Sequence, residues 1–104
     1  MADLASNQIR HLRAKAHHLK PVVLLGANGV TAAVMAEING ALDHHELIKV
    51  KVSGEDREQR LANATRIVEQ SASVHVQFLG HTLTLFRAKT KDSAYALPKP
   101  NKTA

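Results

Sequence analysis

Residues 20–31 read Lys-Pro-Val-Val-Leu-Leu-Gly-Ala-Asn-Gly-Val-Thr, and the rest of the chain is arranged around them. Residues 22–25 are all apolar and follow Pro21, which a strand tolerates at its first position; the run predicts a strand covered on both sides or nearly so. Gly26 and Gly29 then bracket two small residues. Such a loop turns sharply, and its backbone can come close to a bulky partner because no Cβ stands at either end. Thr31 is placed to cap a helix. The loop amides are therefore expected beside a helix N-terminus, a natural seat for a phosphate.

Upstream, Ser6 is a suitable N-cap, and Ile9, Leu12 and Ala16 follow at helical spacing,. This predicts a short amphipathic helix over residues 7–17, with Arg10, Arg13 and Lys15 spread around its other faces. Pro21 ends that segment by disfavouring helical geometry at Lys20. Downstream, Thr31 opens a second helix with Val34, Met35, Ile38 and Leu42 as its apolar stripe, weakened slightly by Gly40. Residues 46–52 then alternate as a strand, with Ile48, Val50 and Val52 on one phase and Leu47, Lys49 and Lys51 on the other. Ser53-Gly54-Glu55-Asp56 supplies a turn and an acidic first helical turn, and Leu61, Ala64 and Val68 mark the buried stripe of a third helix over residues 56–71.

Two more strands, residues 74–79 and 82–87, are joined by Gly80-His81, a pair suited to a type II′ hairpin turn. Pairing Leu79 with Thr82 sets Phe78 against Leu83 and Val76 against Leu85 on the core face, with Gln77–Thr84 and His75–Phe86 on the other. The order α-β-α-β-α-β-β predicts one two-layer α/β domain with a four-stranded mixed sheet. Lys49, Lys51, His75, Gln77, Thr82 and Thr84 fall on the phase opposite the core, which predicts a polar, open sheet face. Periodicity ends at Ala88; the segment beyond, with two prolines and four lysines, reads as a mostly disordered tail,.

Composition narrows the function classes. A chain of 104 residues supports one core,. No apolar run approaches the ~20 residues of a membrane helix, and the N-terminus lacks the basic start and apolar block of a secretory signal. Cysteine is absent, which excludes disulfides and thiolate chemistry and fits a reducing cytoplasm,. The net charge of +5 is polarised: residues 1–30 carry four basic and one acidic side chain, residues 31–86 five and seven, and residues 87–104 five and one. Basic ends around a mildly acidic middle favour a polyanion such as RNA or DNA. Seven histidines include the adjacent pairs His17-His18 and His44-His45, but no metal-ligand spacing, nucleophile motif or acidic pair emerges,. Neither an enzyme nor a metal site or other cofactor is expected. With Phe78 assigned to the core, only Phe86 and Tyr95 remain as aromatics, so recognition by base stacking is disfavoured against recognition of backbone and shape.

Three blocks, residues 20–31, Ala41-Leu-Asp-His-His-Glu-Leu-Ile-Lys-Val-Lys-Val52 and Gly80-His-Thr-Leu-Thr-Leu-Phe-Arg87, resemble the CRM domain (chloroplast RNA splicing and ribosome maturation) in its stand-alone bacterial, YhbY-type form. The resemblance spans about residues 6–98, which sets the domain at residues 1–98 and leaves 99–104 as a disordered tail. It implies a fold similar to the C-terminal domain of translation initiation factor three. It also implies RNA binding, and association with the precursor of the large ribosomal subunit and its ribosomal RNA. Many family members carry Lys or Arg directly after the first glycine, whereas this chain has Ala27 and Asn28. A cationic loop tip is therefore not carried over.

The expected RNA-contacting residues are Gly26, Ala27, Asn28, Gly29 and Thr31 at the loop, Lys20, Arg10, Arg13 and Lys15 around it, and Lys49 and Lys51 on the sheet. Helical phase prevents Arg10, Arg13 and Lys15 from sharing one face, so about two of them can reach one ligand. The expectation is a cytoplasmic monomer acting on RNA, with no membrane and no small-molecule substrate. A different class, a protein-interaction adaptor without RNA contact, uses the same sheet face or tail with the charge serving solubility.

Overall fold

The computed structural model describes residues 4–26 and 28–88. Its elements are α1 (Ser6–Ala16), β1 (Pro21–Leu24), α2 (Ala32–His45), β2 (Leu47–Lys51), α3 (Arg57–Ser71), β3 (Val74–Leu79) and β4 (Thr82–Phe86), in the order that periodicity predicts. The sheet order is β1-β2-β4-β3. β1 and β2 run parallel, while β4 lies antiparallel to both of its neighbours, so the sheet is mixed. Tyr95 and the proposed tail lie outside the described residues.

The main core joins one sheet face to α2 and α3. Met35, Ile38 and Leu42 on α2, with Ala64 and Ile67 on α3, bury Val23, Ile48, Val50, Leu83 and Leu85. This is the expected two-layer body. On the other face, Leu12 and Ala16 of α1 close over Leu47, Val76 and Phe86. That second cluster covers only the end of the sheet where β2 begins and β4 ends, and it leaves the other end of this face open. Leu12 is fully buried; full burial of an aliphatic side chain is worth ~1.5–3 kcal/mol, enough to dock a short helix.

Several local expectations are corrected. β1 is an edge strand, not one covered on both sides: Val22 and Leu24 are 51% and 67% exposed, while Val23 and Leu25 alternate inward. A run of four apolar residues cannot by itself distinguish an edge strand from a central one. In α3 the buried line is Ala64, Ile67 and Ser71, and Leu61 is exposed. The Ser71 hydroxyl is satisfied there, 2.7 Å from the Ile67 carbonyl and 2.7 Å from Ser73 Oγ. Ser6 is the first helical residue of α1; the cap position is Ala5, whose N–H donates to Gln8 Oε1 at 3.0 Å, the backward half of a capping box,.

The β3–β4 hairpin has the predicted turn, with Leu79 opposite Thr82, φ of 62° at Gly80 and no positive φ at His81. Its register shifts between His75 and Gln77. This bulge sets His75 opposite Leu85 and Val74 opposite Phe86, so the predicted pairs Val76–Leu85 and His75–Phe86 do not form,. Val76 turns to the α1 side and His75 to the α3 side, where it lines a small apolar hollow with Leu61, Ala64, Val68 and Phe78. Phe86 is not a free aromatic but is buried under α1. Thr84 keeps its predicted phase but is buried at the centre of the sheet.

Candidate nucleic-acid interface

The Gly-x-x-Gly loop leaves β1 at the sheet end opposite α1. The Leu25 N–H donates to the Lys51 carbonyl at 2.9 Å, which ties the strand end to β2 before the turn. The Gly26 carbonyl then accepts from the Gly29 N–H (3.0 Å) and the Ser53 hydroxyl (3.0 Å), so among the described residues the first glycine is held by its oxygen. The two glycines have different reasons to be there. Gly29 has φ of 73°, a conformation that side chains resist, whereas Gly26 has no positive φ, and a Cβ built on either meets nothing within 4 Å,. Space outside Gly26 is open. Ala27 lies outside the described residues.

Thr31 caps α2 as predicted, with Oγ1 accepting from the Val34 N–H at 3.2 Å. The amides of Ala32 and Ala33, at the first two helical positions, have no intrahelical acceptor and point with the helix dipole toward the loop side,. α3 begins at the same edge of the sheet, after β2, with Asp56 Oδ1 accepting from the Gln59 N–H at 2.8 Å. The carboxyl ends of two parallel strands and the N-termini of the two helices that follow them thus frame one crevice, the usual place for a ligand in a βαβ unit.

That crevice is a cleft of about 480 Å³ lined by Asn28, Gly29 and Val30 of the loop, Ser53 to Glu55 of the β2–α3 turn, and Gln59, Asn63 and Arg66 of α3. Asn63 Nδ2 donates to the Ser53 carbonyl at 3.0 Å, and Gln59 Oε1 accepts from the Glu55 N–H at 3.0 Å. Reading the sequence for stripes of apolar residues missed this wall. The signal that could have found it is the spacing of Gln59, Asn63 and Arg66, three long polar residues at i, i+4 and i+7 on one helical face,.

The predicted basic residues separate into two places. Lys49 pairs with Pro21 and Lys51 with Leu24, on the open face and in that order toward the loop. Lys49 borders a groove with Leu19, Pro21, Gln77, Thr82 and Thr84. Lys20 is exposed beside His45 and Val22 at the start of β1. Arg10, Arg13 and Lys15 are exposed on α1, over the row that contains Leu47. Leu47 and Lys51 are four residue steps apart, roughly 13 Å of strand, so the first helix does not ring the loop but stands at the other end of the same face,. No group of three or more metal-ligating side chains occurs among the described residues, and no helix there is long and apolar enough to cross a membrane.

A parallel strand-helix-strand unit that carries a Gly-x-x-Gly loop, joined to an antiparallel hairpin in one sheet, defines a small α/β domain built around that loop. The chain belongs to the CRS1 / YhbY (CRM) domain family, whose model matches residues 4–87. It is 46% identical over 99 residues to a protein of Haemophilus influenzae named RNA-binding protein, covering 95% of this chain and 99% of that one. It is 38% identical to a probable RNA-binding protein of Pseudomonas aeruginosa, covering 95% of this chain and 88% of the relative. The solution structure of the hypothetical protein SAV1595 from Staphylococcus aureus superposes with a TM-score of 0.80 at 28% identity, over 92% of this chain and all of that one.

Proposed function

We propose that this protein is a non-enzymatic RNA-binding accessory factor of ribosome assembly. It associates in the cytoplasm with the precursor of the large ribosomal subunit, as a monomer and without a cofactor, and holds the RNA backbone through the Gly26–Gly29 loop. The observation that carries the reading is Gly26: exposed, free of positive φ and facing open space, in the loop that leads through the Thr31 cap into the N-terminus of α2. A phosphate can reach main-chain donors there without meeting a side chain. Lys51 and Lys49 continue the contact along the sheet face, and the exposed Arg10, Arg13 and Lys15 extend it to a strand or helix long enough to reach α1. The names of the bacterial relatives support the RNA partner; the ribosomal assignment follows from the family resemblance.

The test is binding to a fragment of large-subunit ribosomal RNA over a salt series. Contacts to several phosphates predict that log affinity falls with log salt at roughly 0.7 to 0.9 per phosphate neutralised. Replacing Lys49 and Lys51 together by Gln should weaken binding and reduce that slope by about 1.5. Affinity that ignores salt refutes the backbone contact. The exposed Leu24 and Leu79 at the two edges of the open face favour a second reading, an adaptor that docks on a protein. The adaptor reading predicts no binding to naked RNA, and hence no effect of removing charge at Arg13 and Lys20.

A further inference from the structure

The cleft between the loop and α3 carries polar groups that the fold leaves unused. Among the described residues neither Asn28 nor Arg66 has a hydrogen-bond or ion-pair partner. Asn63 spends Nδ2 on the Ser53 carbonyl, which leaves Oδ1 as an acceptor; Gln59 spends Oε1 on the Glu55 amide, which leaves the Nε2 hydrogens as donors,. Glu55 adds an exposed carboxylate. The wall therefore mixes donors, Arg66 and Gln59, with acceptors, Asn63 and Glu55. A bare phosphate offers acceptors alone and meets the Glu55 carboxylate unfavourably. An unpaired base offers both kinds on its Watson–Crick edge, and in a duplex that edge is consumed by pairing.

We propose that this cleft takes one unpaired nucleotide of the bound RNA. Its base edge lies on the Gln59, Asn63 and Arg66 face of α3, and its phosphate lies toward the Gly26–Gly29 loop. This rests on the RNA-binding reading above and adds to it a preference for RNA with an extruded nucleotide. The volume of about 480 Å³ suits the occupant; small-molecule sites run ~300–1,000 Å³. No aromatic residue among the described residues lines the cleft, so the base is held by hydrogen bonds and by the guanidinium plane of Arg66,. Guanine, with an N1–H and an amino group as donors and O6 as acceptor, matches both halves of the wall.

The experiment compares a fully paired RNA hairpin with the same hairpin carrying a single bulged guanosine, by fluorescence anisotropy at one salt concentration. The wild-type protein and Arg66→Ala are both measured; Arg66 is exposed and has no partner among the described residues, so the variant folds. The bulged hairpin should bind tighter by about fivefold or more, the low end of discrimination by a paired set of base contacts. Arg66→Ala should collapse that ratio toward one, while the side-chain amide resonances of Gln59 and Asn63 shift only with the bulged RNA. Equal binding of the two hairpins overturns the proposal and leaves the RNA-binding reading standing. A bulge preference that survives Arg66→Ala, with unmoved amide resonances, places the nucleotide elsewhere and also overturns it. Failure to bind either hairpin overturns both readings.

Discussion

Replacing Gly26 by leucine separates binding from folding. In the free protein the new Cβ meets nothing within 4 Å, φ stays outside the left-handed region, and both hydrogen bonds at this residue use its carbonyl. The folded state therefore loses nothing, and a stiffer unfolded chain contributes up to ~0.4–1 kcal/mol toward stability. In the complex, leucine fills the space through which the phosphate reaches the main chain. Losing one charged hydrogen bond costs ~1.5–3 kcal/mol, about 10- to 150-fold in affinity. Gly29→Leu is the control for strain. Its φ of 73° is one that a side chain occupies at a cost of ~1–2 kcal/mol, and each kcal/mol lowers Tm by ~4–8 °C in a domain of this size. Thermal melts followed by circular dichroism, with fluorescence anisotropy on a ribosomal RNA hairpin, read both quantities. A folded Gly26→Leu protein that binds within about twofold of wild type would show that RNA does not approach this backbone.

Other outcomes follow from the packing. Arg87 fastens three elements: Nη1 donates to Asn39 Oδ1 (2.9 Å) and the Ser71 carbonyl (2.7 Å), and Nη2 to the Asn39 carbonyl (3.2 Å) and Asp43 Oδ1 (2.8 Å). Arg87→Met should cost ~2–3 kcal/mol in urea unfolding because the buried carbonyl at the end of α3 loses its donor. Asp43→Asn should cost under ~1 kcal/mol, since that ion pair is exposed, and equal costs for the two variants would contradict this division. Ala72 ends α3 in the left-handed region (φ 51°, ψ 40°) and Gly40 sits exposed within α2. Ala72→Gly and Gly40→Ala should therefore each stabilise by about 0.5–1 kcal/mol, readable as a rise in urea midpoint. Burial lowers the pKa of His75 from its ordinary 6.5. Below that value the unfolded chain binds a proton that the folded one resists, so stability falls as pH drops through about 6.5 and below. His75→Gln should flatten that part of the pH profile, and an unchanged slope would remove His75 as its cause.

How far the sequence reached is clearest residue by residue. Alternation over residues 47–52 and the Gly80-His81 pair are local signals, and they fixed strand identity and hairpin turn without any tertiary information. Thr31 as a cap and Gly29 as a turn residue are equally local, so the loop was legible before the fold. The bulge at Val76 was not. There α1 offers that side chain a pocket with Leu47 and Phe86, a contact between segments about sixty residues apart,. The exposure of Val22 and Leu24 depends on β1 lying at the sheet edge, which strand order decides and composition does not.

The site divides in the same way. By itself the sequence determined the elements, the glycine loop, its threonine cap and the basic residues, because each rests on periodicity or on the backbone freedom of single residues. Tertiary structure alone decided that Arg10, Arg13 and Lys15 stand at the far end of the sheet from the loop, and that Gln59, Asn63 and Arg66 face it. The physical reason is the parallel pairing of β1 with β2, which brings the loop and the start of α3 to one edge although about thirty residues separate them in the chain.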